Sequence, residues 1–406
     1  MNRLLRAALL LALSSGLATL APAPAGAQSV TSGTLSGQVN DTSGGAVPGA
    51  TVTAVHEPTG TRYTDVTNGE GRFTFLNVRV GGPYRVAVQL SGFKEATQDQ
   101  VQVRLGDEKS LAFKLELETV TETVTVTADA GSLIGPSNTG PASNVSQDSI
   151  EKLPTVARGI EDFARLSPYF DAKGSGDGTD RTVLAVAGRN NRYNNIQIDG
   201  AVNNDLFAIS DSSAPGNASD GQPISIDAIQ ELQLVISPYD VRQGGFTGGG
   251  VNAVTRSGTN AIHGTAYYFF RSESLTGDGP DDRPIAAFDE KQFGASVGGP
   301  LQKDKVFFFV NLDWGRKETP SGFSLDGNSG QAFGHQTEVS RFVDIIKNKY
   351  GYDPGGLAEF IRDTPSDKVF GRLDFNLSDH HRLTLRHNFI KGTTDRGFPS
   401  SRTYYF

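Results

Sequence analysis

Short runs of alternating apolar and polar residues, separated by turn residues, recur along most of this 406-residue chain. Alternation with a period of two puts every second side chain on the same face of an extended strand. After residue 27, no segment approaches the ~20 consecutive apolar residues that a membrane-spanning helix needs. The sequence therefore predicts a mostly β fold, and a mature product that stays in a membrane would have to cross it with strands.

The composition excludes several classes of protein. Lysine and arginine total 37 against 45 aspartate and glutamate residues, which gives a net charge of −8. A general nucleic-acid binder would normally carry a net basic domain or stripe, so we expect no nucleic-acid partner. The chain has no cysteine, which rules out a disulfide scaffold, and its 37% of hydrophobic residues is too high for a disordered chain.

Residues 1–27 have the layout of a secretory signal peptide. Arg3 and Arg6 precede an apolar run at residues 7–20, and the small residues Ala25 to Ala27 close the segment. This order predicts cleavage before Gln28. A membrane anchor is the less favoured alternative, because small and polar residues interrupt the apolar run and leave it shorter than a spanning helix. We therefore expect the mature chain to be exported.

Residues 33–117 are predicted to form a small antiparallel β-sandwich. Short β-rich runs alternate there with turns at residues 40–45, 58–60 and 68–69. The pattern is carried by Gly37, Val39, Asp41, Gly44, Pro48, Gly49, Ala50, Val52, Thr67, Gly69, Gly71, Phe73, Phe75, Tyr84, Val86, Val88, Gly92 and Phe93. On these residues the segment resembles the carboxypeptidase regulatory-like, transthyretin-like domain. The resemblance implies an accessory sandwich domain without peptidase chemistry.

The histidines allow a direct test of the zinc-peptidase alternative. His335 and Glu338 stand three residues apart, and zinc commonly takes His and Glu ligands. A third ligand would have to come from His380, His381 or His387, which lie in or beside a strand-like run. A simpler interpretation is that Glu338 is an acidic residue in the first turn of a helix, near the positive end of its dipole. We expect no metal, no cofactor and no enzymatic activity.

Residues 118–146 combine a β-branched segment with a linker rich in Gly, Pro, Asn and Ser. The segment consists of Glu122, Thr123, Val124, Thr125, Val126, Thr127 and Ala128. The residues alone leave two interpretations open: a last edge strand of the sandwich, or a free strand that pairs with the sheet edge of another protein. The segment resembles the TonB box of TonB-dependent outer-membrane receptors. That resemblance implies the periplasmic TonB protein as a partner.

Residues 147–260 carry several motifs in a fixed order. Glu151-Lys152-Leu153-Pro154 precedes a helical stretch at 160–165, and a strand with an Asp-Gly turn follows at Asn195–Gly200. Residues 224–235 predict a helical turn that leads into a strand, and glycines 244, 245 and 248–250 indicate close backbone packing. The order resembles the plug domain of TonB-dependent receptors. The variant S-P-Y-D-V-R-Q-G-G-F-T-G-G at residues 237–249 resembles the Oar-like subgroup.

Residues 261–406 change to longer alternating runs. Five are convincing as strands, at 265–271, 292–298, 306–314, 369–377 and 383–389, and a polar insertion at 318–367 contains a predicted helix over 339–350. The alternation suits a transmembrane β-strand facing outer-membrane lipid, although a soluble sandwich would show it too. Receptors of this class close at about 22 strands. We therefore expect the fold to be mostly β, with a transthyretin-like sandwich, an α+β plug domain and the first strands of an incomplete transmembrane β-barrel, forming the N-terminal portion of a longer receptor.

The function that the resemblance implies is TonB-driven uptake of a substrate across the bacterial outer membrane. No residue of the sequence identifies that substrate, which could be an iron chelate, a glycan, a peptide or a protein. One alternative is an outer-membrane adhesion or signalling protein that transports nothing. A second alternative is a secreted soluble β-protein, which would be recovered from the periplasm or the medium.

Overall fold

The computed structural model describes residues 31–117, 142–155, 158–174, 182–205, 221–236, 247–277, 288–320, 336–354, 361–378 and 381–394. These ranges contain twenty strands and three α-helices, so the predicted mostly β fold is confirmed. The predicted signal peptide and the segment Glu122–Ala128 lie outside the described residues. Within the described ranges, no helix combines the length and the apolarity that crossing a membrane requires.

The first unit, called here the sandwich, comprises residues 33–117. Its strands are β1 (Gly33–Asp41), β2 (Thr51–His56), β3 (Thr61–Val66), β4 (Arg72–Val78), β5 (Gly81–Gln89), β6 (Ala96–Val103) and β7 (Glu108–Leu115). One sheet has the order β4-β1-β7, with β1 and β7 parallel, and the other has the order β3-β2-β5-β6. Alternate residues, among them Leu35, Phe73 and Val86, form one buried core between the sheets. The predicted sandwich is present, although its β1–β7 pair is parallel.

The second unit, called here the central unit, comprises residues 142–255. Its elements are β8 (Ala142–Ser146), α1 (Gln147–Lys152), α2 (Ile160–Ala164), β9 (Phe170–Gly174), β10 (Thr182–Val186), β11 (Asn195–Ile198), β12 (Ala201–Val202), β13 (Ile229–Ile236) and β14 (Gly249–Thr255). A mixed sheet has the order β12-β11-β14-β13-β8, so that β8 is an edge strand. Asp199 and Gly200 both adopt positive φ, as a two-residue type I′ hairpin turn requires. The Asp-Gly turn predicted from the sequence is therefore confirmed.

The third unit, called here the long sheet, comprises residues 263–392. Its elements are β15 (His263–Ser272), β16 (Asp289–Gln302), β17 (Val306–Pro320), α3 (Gln336–Tyr350), β18 (Ile361–Asp363), β19 (Ser366–Asn376) and β20 (Arg382–Gly392). All its pairs are antiparallel, in the order β15-β16-β17-β19-β20, with β18 also paired to β17. Strands β16 and β17 have 14 and 15 residues and extend well beyond the predicted segments, because their ladder continues through polar residues.

The inner face of the long sheet buries mostly polar side chains, together with Phe307, Phe309 and Phe370, whereas its outer face exposes apolar side chains. On β17, Asn311 and Asp313 are 0% exposed, whereas Val310, next to Asn311, is 36% exposed. On β19, Asp374 is 1% exposed and Val369 is 38% exposed. The large apolar side chains exposed on the outer face include Tyr268, Phe270, Phe293, Val297, Val310, Val369, Leu383, Leu385 and Phe389. A soluble sandwich would pack the apolar face inward, so the long sheet has the inverted arrangement.

The two ends of the long sheet differ. Strands β16 and β17, and likewise β19 and β20, are joined by short turns, whereas long connections join the strands at the opposite end. The sandwich lies at the end with the short turns. Asn376 donates a 3.2 Å hydrogen bond from Nδ2 to Thr61 Oγ1, and Arg382 donates one to the hydroxyl of Tyr63. The backbone N–H of Asn260 donates to the carbonyl of Pro58 at 2.7 Å.

Candidate functional site

The central unit contacts the inner face of the long sheet through a buried carboxylate. Asp313 accepts hydrogen bonds from the hydroxyls of Tyr267 at 2.7 Å and Ser225 at 2.9 Å. It also accepts one from Gln292 Nε2 at 2.9 Å and one from Lys368 Nζ at 3.2 Å. Four donors around one carboxylate stabilise its charge in the interior. Because Ser225 precedes β13 while the other donors lie on the long sheet, this cluster joins the two units.

A second cluster centres on Arg372 of β19. Its guanidinium donates two hydrogen bonds of 2.9 Å to the carboxylate of Asp374, in the bidentate arrangement that arginine favours. Its NH1 atom also donates at 2.8 Å to both the carbonyl and the hydroxyl oxygen of Thr255 in the central unit. Asp199 lies 3.8 Å from Arg372 and 3.1 Å from Arg386. The Asp-Gly turn of the central unit is thereby held against the long sheet by charge.

The sandwich contributes Arg79 to the same cluster. This side chain donates a 2.6 Å hydrogen bond to Ser257 Oγ and lies 3.8 Å from Asp374. Burial lowers the pKa of Arg79, and the Asp374 carboxylate opposes that change. Asp374 therefore faces arginines from two units. Sequence reasoning missed this cluster, because its members are up to about 300 residues apart along the chain and follow no local motif.

The sandwich and the central unit also meet at the backbone of Leu105, in the turn between β6 and β7. The N–H of Leu105 donates to Glu231 Oε1 at 3.1 Å, and its carbonyl accepts from Gln233 Nε2 at 2.8 Å and from Asn144 Nδ2 at 3.0 Å. Burial raises the pKa of Glu231 to about 7, and nearby Asp107 adds to this rise while the Leu105 hydrogen bond opposes it. Both main-chain polar groups of Leu105, the N–H and the carbonyl, therefore form a hydrogen bond with a buried side chain.

A cavity of about 520 Å³ separates the central unit from the inner faces of β15 and β16. Its lining includes Arg158, which lies 4.6 Å from the ring centre of Tyr267 and 4.3 Å from that of Phe269. Arg158 also contacts Asp227 at 2.5 Å. The cavity wall thus pairs cations with aromatic faces and acidic side chains.

The structure describes only some of the residues that the sequence predicted to be functional. The box candidate Glu122–Ala128 lies outside the described residues, and β8 begins at residue 142, after it. His335 and His380 also lie outside the described residues, whereas Glu338 stands in the first turn of α3, as predicted. In the part of the chain that is described, no group of three or more His, Cys, Asp or Glu residues could hold a metal ion.

The described glycines of the glycine run do pass close to other atoms. A Cβ added to Gly248 would lie 2.4 Å from Asn194 Oδ1, and one added to Gly249 would lie 2.7 Å from Val186 Cγ1. The prediction of close backbone packing is confirmed for these two positions.

Two family models match the chain. Residues 34–116 match the model described as a carboxypeptidase regulatory-like domain, and residues 254–341 match an outer membrane beta barrel domain. The TonB-dependent transporter Oar of Myxococcus xanthus is 24% identical over 346 residues, which cover 80% of this chain and 30% of the relative. The chain is similar to TonB-dependent outer-membrane receptors. The match to an outer membrane beta barrel domain indicates that this protein is located in the outer membrane. That location does not support the alternative of a secreted soluble protein.

Further similar proteins include a siderophore receptor and an outer membrane transporter. The probable TonB-dependent siderophore receptor PirA of Acinetobacter baumannii is 24% identical over 254 residues, which cover 56% of this chain and 32% of the relative. Its crystal structure matches with 20% identity and a TM-score of 0.42, covering 62% of this chain and 32% of that one. The outer membrane transporter YddB of Escherichia coli matches with 15% identity and a TM-score of 0.45, covering 64% and 34%. The chain spans about a third of the length of the relatives it matches.

Proposed function

We propose that this chain is part of a TonB-dependent transporter that takes up a substrate across the outer membrane. The observation that carries the proposal is the inverted long sheet, which turns apolar side chains outward and fastens the central unit to its polar face. A strand that faces lipid on one side and a filled interior on the other needs this arrangement. The match to the Oar transporter over 80% of the chain supports the same function.

The domain assignment follows from this proposal. Residues 33–117 form the accessory sandwich, residues 147–260 form the plug, and residues 261–406 supply the first strands of the barrel wall. Short turns of outer-membrane barrels face the periplasm and long loops face outward. The sandwich lies at the end of the long sheet that has the short turns, so we assign it to the periplasm.

The partner that drives uptake is the periplasmic TonB protein. We assign residues Glu122–Ala128 as its binding segment, which would pair as an added strand through main-chain hydrogen bonds. Force applied there reaches the plug through the linker before β8, at residues 129–141. Because β8 is an edge strand that pairs only with β13 among the described strands, it is the first plug strand to experience the pull.

Plug movement has to disrupt the polar contacts between the plug and the wall. Those contacts include the Ser225–Asp313 hydrogen bond, the hydrogen bonds of Arg372 to Thr255, and the interactions of Asp199 with Arg372 and Arg386. Phe309 and Phe370 of the long sheet also pack in the hydrophobic core of the central unit. Polar contacts can be exchanged for water as the interface opens, whereas an apolar interface would resist hydration. No covalent bond of the substrate changes, so we propose a transporter and no enzyme.

We assign no substrate to this chain. One relative is named as a probable siderophore receptor, so an iron chelate is one candidate class. The lining of the cavity beside Arg158 gives cations and aromatic faces, which suit more than one class of ligand.

The experiment that tests the proposal compares two deletions in the intact receptor. Deleting residues 122–128 is expected to abolish binding of the purified TonB C-terminal domain, measured by calorimetry in detergent. A matched deletion of seven residues from the linker, 132–138, is expected to retain that binding. Equal TonB binding by the two deletion variants would contradict the assignment and favour an adhesion or signalling protein.

A further inference from the structure

Side chains of the central unit hold both main-chain polar groups of Leu105, its N–H and its carbonyl. Glu231 accepts from its N–H at 3.1 Å, and Gln233 and Asn144 donate to its carbonyl at 2.8 and 3.0 Å. The Leu105 side chain is 0% exposed and packs with Val80 and Val254 in a small apolar cluster. The turn that presents Leu105 is thus inserted into the central unit.

The groups that hold Leu105 belong to two neighbouring strands. Asn144 lies on β8 and faces Gln233 on β13, and Glu231 lies two residues before Gln233 on the same strand. Gly106 adopts a φ of +72°, and a Cβ added there would lie 2.8 Å from Gln233 Nε2. The backbone of the turn therefore packs directly against the side-chain amide of Gln233.

The sandwich is fixed to the long sheet as well. Arg382, the first residue of β20, donates hydrogen bonds to the Tyr63 hydroxyl and, at 2.9 Å, to the carbonyl of Asn77. Its guanidinium lies 5.0 Å from the centre of the Tyr63 ring. Asn376 Nδ2 donates to Thr61 Oγ1 at 3.2 Å. Because the sandwich is attached to the long sheet, it cannot move together with β8 when the central unit moves.

We propose that the sandwich is a mechanical latch on the plug, in which the Leu105 peptide ties edge strand β8 to the wall until force detaches it. The inference rests on the proposed function, because it assumes that force enters the chain just before β8. Strand β8 pairs with β13 over five residues, Ala142–Ser146. Without the Leu105 contact a pull could peel this short strand away from β13 residue by residue. With the contact, Asn144 resists in the middle of β8.

The test applies force to the intact receptor in lipid nanodiscs through a covalent handle. The chain has no cysteine, so Ala128→Cys gives a single attachment point within it for a DNA tether. The measured quantity is the rate of the first extension step at constant force. The double variant Asn144→Ala with Gln233→Ala removes both hydrogen bonds to the Leu105 carbonyl, so we expect that step to become at least about tenfold faster.

The matched control is Ser143→Ala, a neighbouring position on β8 whose side chain lies on the opposite face of the strand from Asn144, and we expect it to leave the rate unchanged. An unchanged rate in the double variant would overturn the latch. The covalent handle does not involve TonB, so equal TonB binding by the two deletion variants would count against the proposed function and would leave this force measurement interpretable.

A second measurement needs no variant and covers the case in which the double variant fails to fold. Hydrogen exchange of the unmodified receptor compares the amide of Leu105 with the β8 amides that bond to β13. If the turn and the strand open together, their exchange rates are expected to agree within a few-fold. Exchange of the β8 amides at least about a hundredfold faster than that of Leu105 would show that β8 opens while the sandwich stays docked, and would overturn the latch.

Discussion

The carboxylate of Asp199 lies 3.1 Å from the guanidinium of Arg386, across the boundary between the central unit and the long sheet. The same carboxylate accepts hydrogen bonds from the N–H of Thr255 at 2.7 Å and from its hydroxyl at 2.6 Å. Asp199 therefore joins the Asp-Gly turn to strand β14. It also joins the central unit to the long sheet. Its two roles make Asp199 a sensitive position for mutation.

Replacing Asp199 with asparagine should weaken the attachment of the central unit. The variant retains an oxygen acceptor for Thr255 but loses the charge that faces Arg372 and Arg386. Removing one partner from a partly buried ion pair leaves uncompensated charge, and we expect a loss of about 2–4 kcal/mol in the free energy of unfolding. Urea unfolding of the purified receptor measures it. Asp363→Asn, at an exposed position on β18, is the control, and an equal effect in both variants would contradict the prediction.

Stability should depend on pH through Glu231, whose pKa burial raises from 4.5 to about 7. A carboxyl with a raised pKa binds its proton more tightly in the folded state. Its contribution is therefore fully present below pH 4.5 and is lost as the pH rises through about 7. At its largest this contribution is about 3 kcal/mol. Arg104 and Asp107 are the other charged groups whose fields act on this carboxyl.

Glu231→Gln should remove that contribution to the pH dependence. We expect the variant to be more stable than the wild type at pH 8 and to lose less stability between pH 5 and pH 8. Unfolding midpoints at the two pH values measure the effect. Glu116→Gln changes the same charge at an exposed position, and it is expected to leave the pH profile of the wild type unaltered.

The outward apolar face of the long sheet predicts the effect of a charge placed on it. Val310→Arg puts a cation on the exposed apolar face of β17, and we expect folding into lipid vesicles to be less favourable by about 2–4 kcal/mol. Val66→Arg, on a sandwich strand where the valine is 55% exposed, should have little effect. The fraction of receptor that folds into vesicles measures the difference. A harmless Val310→Arg would argue against a lipid-facing surface.

The close packing at Gly249 predicts the effect of a single added methyl group. In Gly249→Ala the new Cβ would lie 2.7 Å from Val186 Cγ1 and 3.1 Å from Phe170 Cζ. Overpacking of this kind costs about 1–3 kcal/mol, which a thermal unfolding experiment can detect. Gly69→Ala adds the same methyl group where no atom lies within 4 Å, so its melting temperature should change little.

Local features of the fold could be predicted from the sequence because their causes are local. The Asp199-Gly200 turn needs two residues that tolerate positive φ, and the helix α3 follows from its own composition. The positions at which the strands end could be predicted less well from the sequence. Strand β17 extends to Pro320 because it pairs with β16 and β18, and neither partner can be read from the residues of β17 itself.

The sequence by itself determined that the chain is mostly β, where its turns lie and which family it resembles, because period, turn chemistry and motif order are written along the chain. Only the tertiary structure decided which face of each long strand points inward, since alternation is the same in either orientation. It also decided the contacts at Asp313, Arg372 and Leu105. Leu105 and Glu231 are 126 residues apart, and such pairs meet only after separate units have folded and packed together.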